Sequence, residues 1–136
     1  MKFYGKVLML SSLLYLVFFN TVLAGQVEIL AAELHNTGGT HWSINVTLKH
    51  EDTGWEHYAD NWRIVDENGK ILGDRVLYHP HVNEQPFTRS LGNVEVPIKN
   101  KIVFITAHDK VHGWTTEHLK VDLSNIQGSR VRVESP

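Results

Sequence analysis

Nine histidines are spread along this 136-residue chain, and six of them fall in three short stretches. The stretches contain His50 and His57, then His79 and His81, then His108 and His112. Imidazole nitrogens bind Zn²⁺ and Cu²⁺ when three or four donors converge on one point. The pattern therefore indicates divalent metal binding, provided that the fold brings the three stretches together.

The spacing within two of these stretches suits ligation, but each also fits a polar surface loop. In His79-Pro80-His81 the imidazoles stand two residues apart, so an extended segment turns both to the same side. His108 and His112 stand four residues apart, but they follow a predicted strand, so the helical i, i+4 arrangement does not apply. The predicted metal ligands are His79, His81, His108 and His112, with His50, His57, Asp109 and Glu84 as further candidates.

Two tryptophans border the same stretches and offer a second kind of binding surface. If exposed, Trp55 and Trp114 could stack on a glycan or anchor a peptide or partner protein. The alternative is that these aromatics only close the open end of a hydrophobic core. His35, His41 and His118 are excluded from the site, because the first two flank a turn at the opposite end and the third has an outward phase.

Most of the chain after residue 24 has the sequence pattern of β-strands. Trp42, Ile44, Val46 and Leu48 alternate with polar residues, a period of two that is typical of a half-buried strand. Asn68-Gly69 predicts a β-hairpin with a two-residue turn in which both residues have positive φ. The predicted strands A to G cover residues 27–34, 41–50, 57–66, 71–78, 87–91 (extending toward 96), 101–108 and 117–123.

This pattern predicts an all-β fold, a seven-strand antiparallel immunoglobulin-like or fibronectin-III-like sandwich over residues 25–124. Consecutive strands that alternate in direction place the B–C, D–E and F–G connections at one pole. That pole receives residues 50–57, 79–86 and 108–116, and so the three histidine stretches. Residues 125–136 are predicted to be a polar C-terminal tail, with a frayed edge strand at 130–134 as the alternative.

The first 24 residues have the features of a cleaved signal peptide. Lys2 and Lys6 precede an uncharged apolar run at 7–19, and Val22 and Ala24 supply small residues at the −3 and −1 positions of a cleavage site. We therefore expect a periplasmic or secreted protein with no membrane span after cleavage. The alternative is an uncleaved membrane anchor, although the apolar run is short for one.

The amino-acid composition argues against several kinds of site and partner. The chain has no cysteine, so we expect neither a lipid anchor of the cysteine type, nor disulfides, nor soft-metal sites built on sulfur. Removal of Lys2 and Lys6 leaves a net charge of about −4, which argues against a nucleic-acid partner. No nucleophile elbow, cysteine nucleophile or phosphate loop is present.

The predicted function is therefore that of an exported, non-enzymatic binding protein for Zn²⁺ or Cu²⁺. Two alternatives remain open: a glycan- or protein-interaction module that uses the aromatic rim, and a structural envelope subunit that pairs through an edge strand.

The stretch from Trp55 to Leu91, WEHYADNWRIVDENGKILGDRVLYHPHVNEQPFTRSL, followed by AHDKVHGW, carries a resemblance. It resembles a small uncharacterised family of exported bacterial immunoglobulin-like or fibronectin-III-like β-sandwich proteins. The resemblance covers most of the chain after residue 24. It implies an exported location and a sandwich fold, and it implies no activity.

Overall fold

The structure, a computed structural model, describes residues 25–124 and 128–135, which form strands and loops without a helix. The predicted signal peptide lies outside the described residues. The strands are β1 Glu28–Gly38, β2 His41–Lys49, β3 Ala59–Asp66, β4 Ile71–Val76, β5 Phe87–Glu95, β6 Ile102–Asp109, β7 Gly113–Trp114, β8 Leu119–Asp122 and β9 Val131–Glu134. The all-β prediction is confirmed, and each of the seven predicted strands overlaps an observed one.

The described strands form two sheets. One has the order β5-β2-β1-β9, and the other has the order β4-β3-β6, with β7 and β8 both pairing with β6. All pairings are antiparallel except the one between β1 and β9. The predicted last strand, 117–123, corresponds to β8, which pairs with the beginning of β6. The short strand β7 was not predicted, and it pairs with the end of β6.

The hydrophobic core lies between the two sheets and follows the alternation seen in the sequence. On β2, Trp42, Ile44, Val46 and Leu48 are all buried, while the residues between them are partly exposed. On β3, Trp62 is fully buried and packs in the same core. Burial of this apolar surface is the main force that holds the sheets together.

The hairpin predicted at Asn68-Gly69 forms between β3 and β4, but its turn differs from the prediction. Only Gly69 has a positive φ, at 79°. Its N–H donates to the carbonyl of Asp66 at 3.0 Å, and the Asp66 carboxylate accepts from the backbone N–H groups of Asn68 and Lys70. The Asp66 side chain thus stabilises a longer loop in which glycine alone occupies the left-handed region.

The C-terminal segment enters the first sheet, beyond residue 124 where the predicted sandwich ends. Val131–Glu134 is β9, and its Val133 is fully buried against the core. The carbonyl of Arg130 also accepts a hydrogen bond from the N–H of Ala32 at 2.9 Å. Residues 131–134 therefore form an edge strand, the alternative to a polar tail.

Within the part of the chain that the structure describes, no helix has the length and apolar character needed to cross a membrane.

Candidate metal centre

Four side chains that could bind a metal meet at one end of the sandwich. His50 follows β2 directly and keeps the inward phase of that strand, while Asp109 is the last residue of β6. His57 precedes β3, and His112 lies in the turn between β6 and β7. The antiparallel pairing of β3 with β6 places Ala59 opposite Asp109, which brings the two loops together. We call these four residues the His/Asp cluster.

The donor atoms of the His/Asp cluster are close enough to share one ion. One ligand atom from each residue lies within 4.8 Å of every other. Asp109 Oδ1 is 3.0 Å from His112 Nδ1 and 3.2 Å from His57 Nε2, and Asp109 Oδ2 is 4.0 Å from His50 Nε2. Two ligands of a tetrahedral zinc at about 2.0–2.1 Å stand roughly 3.3 Å apart, so shifts of about an ångström would close the set.

The carboxylate of Asp109 is buried, and its two oxygens differ in their surroundings. Oδ1 accepts from the backbone N–H groups of Val111 and His112, at 2.9 and 2.7 Å, and from the His112 imidazole. Oδ2 has no hydrogen-bond partner in the described structure, although the side chain is completely buried. A buried polar atom without a partner is costly, so Oδ2 is available to a further partner.

Asp109 is ionised at neutral pH. Burial raises the pKa of this carboxyl group, but the hydrogen bonds from His112 and Val111 and the charge of the His112 ring outweigh burial, and the net pKa is lowered. An ionised carboxylate with one bare oxygen is a hard anionic donor that suits a divalent cation. Nε2 of His57 is also buried without a hydrogen-bond partner, and it lies beside the same carboxylate.

His50 is oriented by a carboxylate that the sequence analysis did not single out. Its Nδ1 donates to Oδ1 of Asp52 at 2.6 Å, and the same oxygen accepts from the N–H of Ala59 at 2.9 Å. The other oxygen of Asp52 accepts from the N–H of His81 at 2.7 Å. Such a carboxylate–histidine pair is typical of metal ligands, because it fixes the orientation of the ring.

The sequence did contain a pattern that could have identified Asp52, because His50-x-Asp52 stands next to a predicted strand end.

Nε2 of His50 faces the carbonyl oxygen of Gly25 at 2.9 Å. This contact joins the His/Asp cluster to the start of the described chain, a proximity that strand prediction does not give.

The structure places His79 and His81 outside the His/Asp cluster. His81 is buried, stacks on Phe87, and accepts a hydrogen bond at Nε2 from the Arg89 guanidinium at 2.7 Å. Burial lowers the pKa of His81, and the charges of Arg89 and His79 lower it further. The lone pair of this neutral ring is thus already used, and the neighbouring guanidinium would repel a metal cation. His79 is exposed and packs against the ring of His81.

His108 also lies apart from the His/Asp cluster. Successive residues of a strand point to opposite faces of a sheet, so the buried position of Asp109 turns His108 outward. There Nδ1 of His108 lies 2.5 Å from Oδ1 of Asp60, and its ring packs against Trp114. Of the four ligands first predicted, only His112 belongs to the set that the structure brings together.

The remaining predicted residues have other contacts. Trp55 is 65% exposed and meets Tyr58 edge to face. Trp114 is half-buried beneath the Arg63 guanidinium, which lies 4.2 Å from its ring centroid. Glu84 is exposed, with an oxygen 3.6 Å from Arg89. The two indoles therefore have different neighbours, and the described contacts do not join them in one stacking platform.

The fold and the His/Asp cluster define an all-β, two-sheet protein with a concentrated set of metal-type donors at one pole. No protein-family model matches the chain, and no solved structure matches it. The chain is similar to a protein of Halomicrobium mukohataei described as a "Putative lipoprotein", with 36% identity over 97 residues. The match covers 71% of this chain and 47% of that protein, so the chain spans about half the length of this relative.

Proposed function

We propose that this protein binds one divalent transition-metal ion, Zn²⁺ or Cu²⁺, through His50, His57, Asp109 and His112. The observation that carries the proposal is the bare Oδ2 of the buried, ionised Asp109, which lies among three imidazoles. An ion at this point would supply the partner that the carboxylate lacks. Three imidazoles and a carboxylate are donors that both ions accept.

The burial of the four residues supports reversible access for an ion. The side chains of His50 and Asp109 are almost completely buried and form the floor of the site. The side chains of His57 and His112 are 25% and 34% exposed. An ion can therefore approach from the solvent side, where His57 and His112 are exposed, and meet ligands already held by hydrogen bonds.

The strand order supports a fibronectin-III-like arrangement as the finer description of the fold. In antibody constant domains the fourth strand shares a sheet with strands A, B and E. Here β4 pairs with β3 in the other sheet. This departure from the antibody arrangement favours the second of the two predicted sandwich types, with β9 as an added strand.

We further propose an exported location, periplasmic or secreted, and a binding role instead of catalysis. The N-terminal sequence pattern supports export, and so does the description of the Halomicrobium mukohataei relative as a "Putative lipoprotein". The absence of nucleophile and phosphate-loop motifs supports a binding role.

Exposed aromatics near the same pole support a second candidate function, a glycan- or protein-interaction surface. Trp55 is 65% exposed and Tyr78 is 75% exposed. Side chains of this kind are enriched in interfaces. The metal proposal has priority because exposed aromatics have no unsatisfied group that requires a partner, whereas Asp109 has one.

The proposal is tested by titrating the protein that begins at Gly25 with Zn²⁺ alone and with Cu²⁺ alone, by calorimetry and chelator competition. We expect one ion per chain with submicromolar affinity. His57→Ala and His112→Ala should each weaken binding by about tenfold or more. Because both side chains are partly exposed, these variants should still fold.

Matched controls come from histidines outside the His/Asp cluster. His79→Ala and His118→Ala remove exposed imidazoles and should leave the affinity unchanged. The proposal is wrong if the protein does not bind either ion, if binding is weak with several ions per chain, or if all four variants lose affinity equally.

A further inference from the structure

Gly25 lies against the His/Asp cluster. The carbonyl oxygen of Gly25 lies 2.9 Å from Nε2 of His50. A Cβ built on Gly25 would lie 2.5 Å from Cε1 and 2.8 Å from Nε2 of His112. Gly25 thus packs directly between two of the proposed ligands, and any side chain at this position would overlap the His112 ring.

Neighbouring contacts hold this residue in place. Val27 is buried in the core two residues later. The side-chain oxygen of Gln26 accepts hydrogen bonds from the backbone N–H and the hydroxyl of Thr116, each at 3.2 Å. The nitrogen of Gly25 and a Cβ share the same Cα, so that nitrogen lies within about 5 Å of the His112 ring. The position is therefore set by the fold before an ion arrives.

The predicted signal cleavage falls between Ala24 and Gly25. Before cleavage, the nitrogen of Gly25 is an amide, whose lone pair is delocalised and binds metals poorly. After cleavage it is an α-amine, which has a localised lone pair once it loses its proton. An amine and the carbonyl oxygen of the same residue can bind one ion together and close a five-membered chelate ring.

We infer that the mature N-terminus of this protein is itself a metal ligand, with the α-amine and carbonyl oxygen of Gly25 joining the His/Asp cluster after signal cleavage. The inference rests on the proposed function. In this step the ion forms a bond to the α-amine nitrogen and the ammonium group releases one proton to solvent. The ion also takes the place of the proton that His50 Nε2 donates to the Gly25 carbonyl oxygen, and this second proton leaves to solvent as well.

A consequence is that cleavage completes the site. The uncleaved precursor has only the four side chains, whereas the processed protein has these and the Gly25 chelate. Tight binding is then confined to protein that has been exported and processed.

The experiment compares two chains that differ by one residue. One begins at Gly25 and the other retains Ala24, which moves the free amine one residue away while the His/Asp cluster is unchanged. Affinities for Zn²⁺ and for Cu²⁺ are measured by chelator competition at pH 7.5. We expect the chain that retains Ala24 to bind at least about tenfold more weakly, since even loss of a ligand's outer partner costs that much. In the Cu²⁺ complex, ¹⁵N labelling of glycine should change the nitrogen hyperfine pattern only in the chain that begins at Gly25.

His57→Ala in both chains separates the two proposals. Equal affinity of the two chains, with loss in both on His57→Ala, overturns the N-terminal ligand and leaves the His/Asp site intact. Failure of both chains to bind overturns the proposed function. Tight binding by the Gly25 chain that is insensitive to His57→Ala places the ion on the terminus alone and overturns both. N-terminal sequencing of protein exported from the full precursor should show Gly25, and another first residue overturns the inference.

Discussion

Nδ1 of His50 lies 2.6 Å from Oδ1 of Asp52, and the side chains of both residues are 1% or less exposed. Asp52 accepts hydrogen bonds from three directions, because the N–H groups of Ala59 and His81 also donate to it. The carboxylate therefore joins the end of β2, the start of β3 and the loop before β5. It acts as a structural centre of the pole and as the group that orients one proposed ligand.

Asp52→Asn should both destabilise the fold and weaken metal binding. The Asn side chain has one accepting oxygen instead of two. Its NH₂ group would therefore face a group that now donates to Asp52, such as the N–H of Ala59 or of His81. We expect the free energy of unfolding to fall by about 3 kcal/mol, measured by urea denaturation without metal. The affinity for Zn²⁺ should fall by about 10- to 100-fold. Glu51→Gln, at an exposed neighbouring position, serves as the control and should change neither quantity.

The environment of His81 predicts a loss of stability in mild acid. Burial, Arg89 and His79 lower its pKa below 6.5, and Glu84 and Asp52 offset this only in part. As the pH falls below 6.5, His81 binds a proton in the unfolded chain but stays neutral in the folded protein. Protonation therefore stabilises the unfolded state relative to the folded state. The free energy of unfolding should therefore decrease as the pH falls through this range, until the lowered pKa is reached.

His81→Gln should reduce the slope of this pH dependence between pH 7 and pH 5. The measurement is urea denaturation at several pH values without metal. His118→Gln, at an exposed position, should keep the slope of the unmodified protein. An unchanged slope in His81→Gln would show that other groups cause the acid sensitivity.

The pairing of β9 with β1 predicts that the C-terminal segment contributes to stability. Val133 is fully buried, whereas its neighbour Arg132 is exposed. Val133→Ala should lower the free energy of unfolding by about 2 kcal/mol, through lost apolar burial and the cavity that remains. Arg132→Ala should have an effect within about 0.5 kcal/mol. Equal, small effects of both changes would mean that residues 131–134 do not pack on the sheet in solution.

Much of the architecture could be predicted from the sequence because strand signals are local. Alternation on β2 and the Asn68-Gly69 break identified strands without knowledge of their partners. The bulge that shifts the register between Ile29 and Ala31 and the parallel pairing of β9 could not be predicted. Both depend on which strands become neighbours.

Local patterns indicated which residue types gather at the pole, but of the four ligands first predicted only His112 lies in the His/Asp cluster. Tyr58 is buried, whereas Tyr78 projects into solvent, although both lie beside predicted strand ends. The same local information could not show that the Arg89 guanidinium donates a hydrogen bond to Nε2 of His81. Nor could it show that β6 turns Asp109 inward and His108 outward. Each of these outcomes is set by residues distant in sequence.

By itself, the sequence determined that this chain has an all-β fold with metal-type donors in three loops, and that sulfur chemistry is excluded. Composition and alternation suffice for those conclusions because both are read from the sequence without knowing which residues meet in space. Only the tertiary structure decided that His50, His57, Asp109 and His112 meet, and that Gly25 lies against them. The register between β3 and β6 and the packing of the first residues on the β6–β7 turn bring together atoms separated by up to 87 residues. No local pattern encodes a distance of that kind.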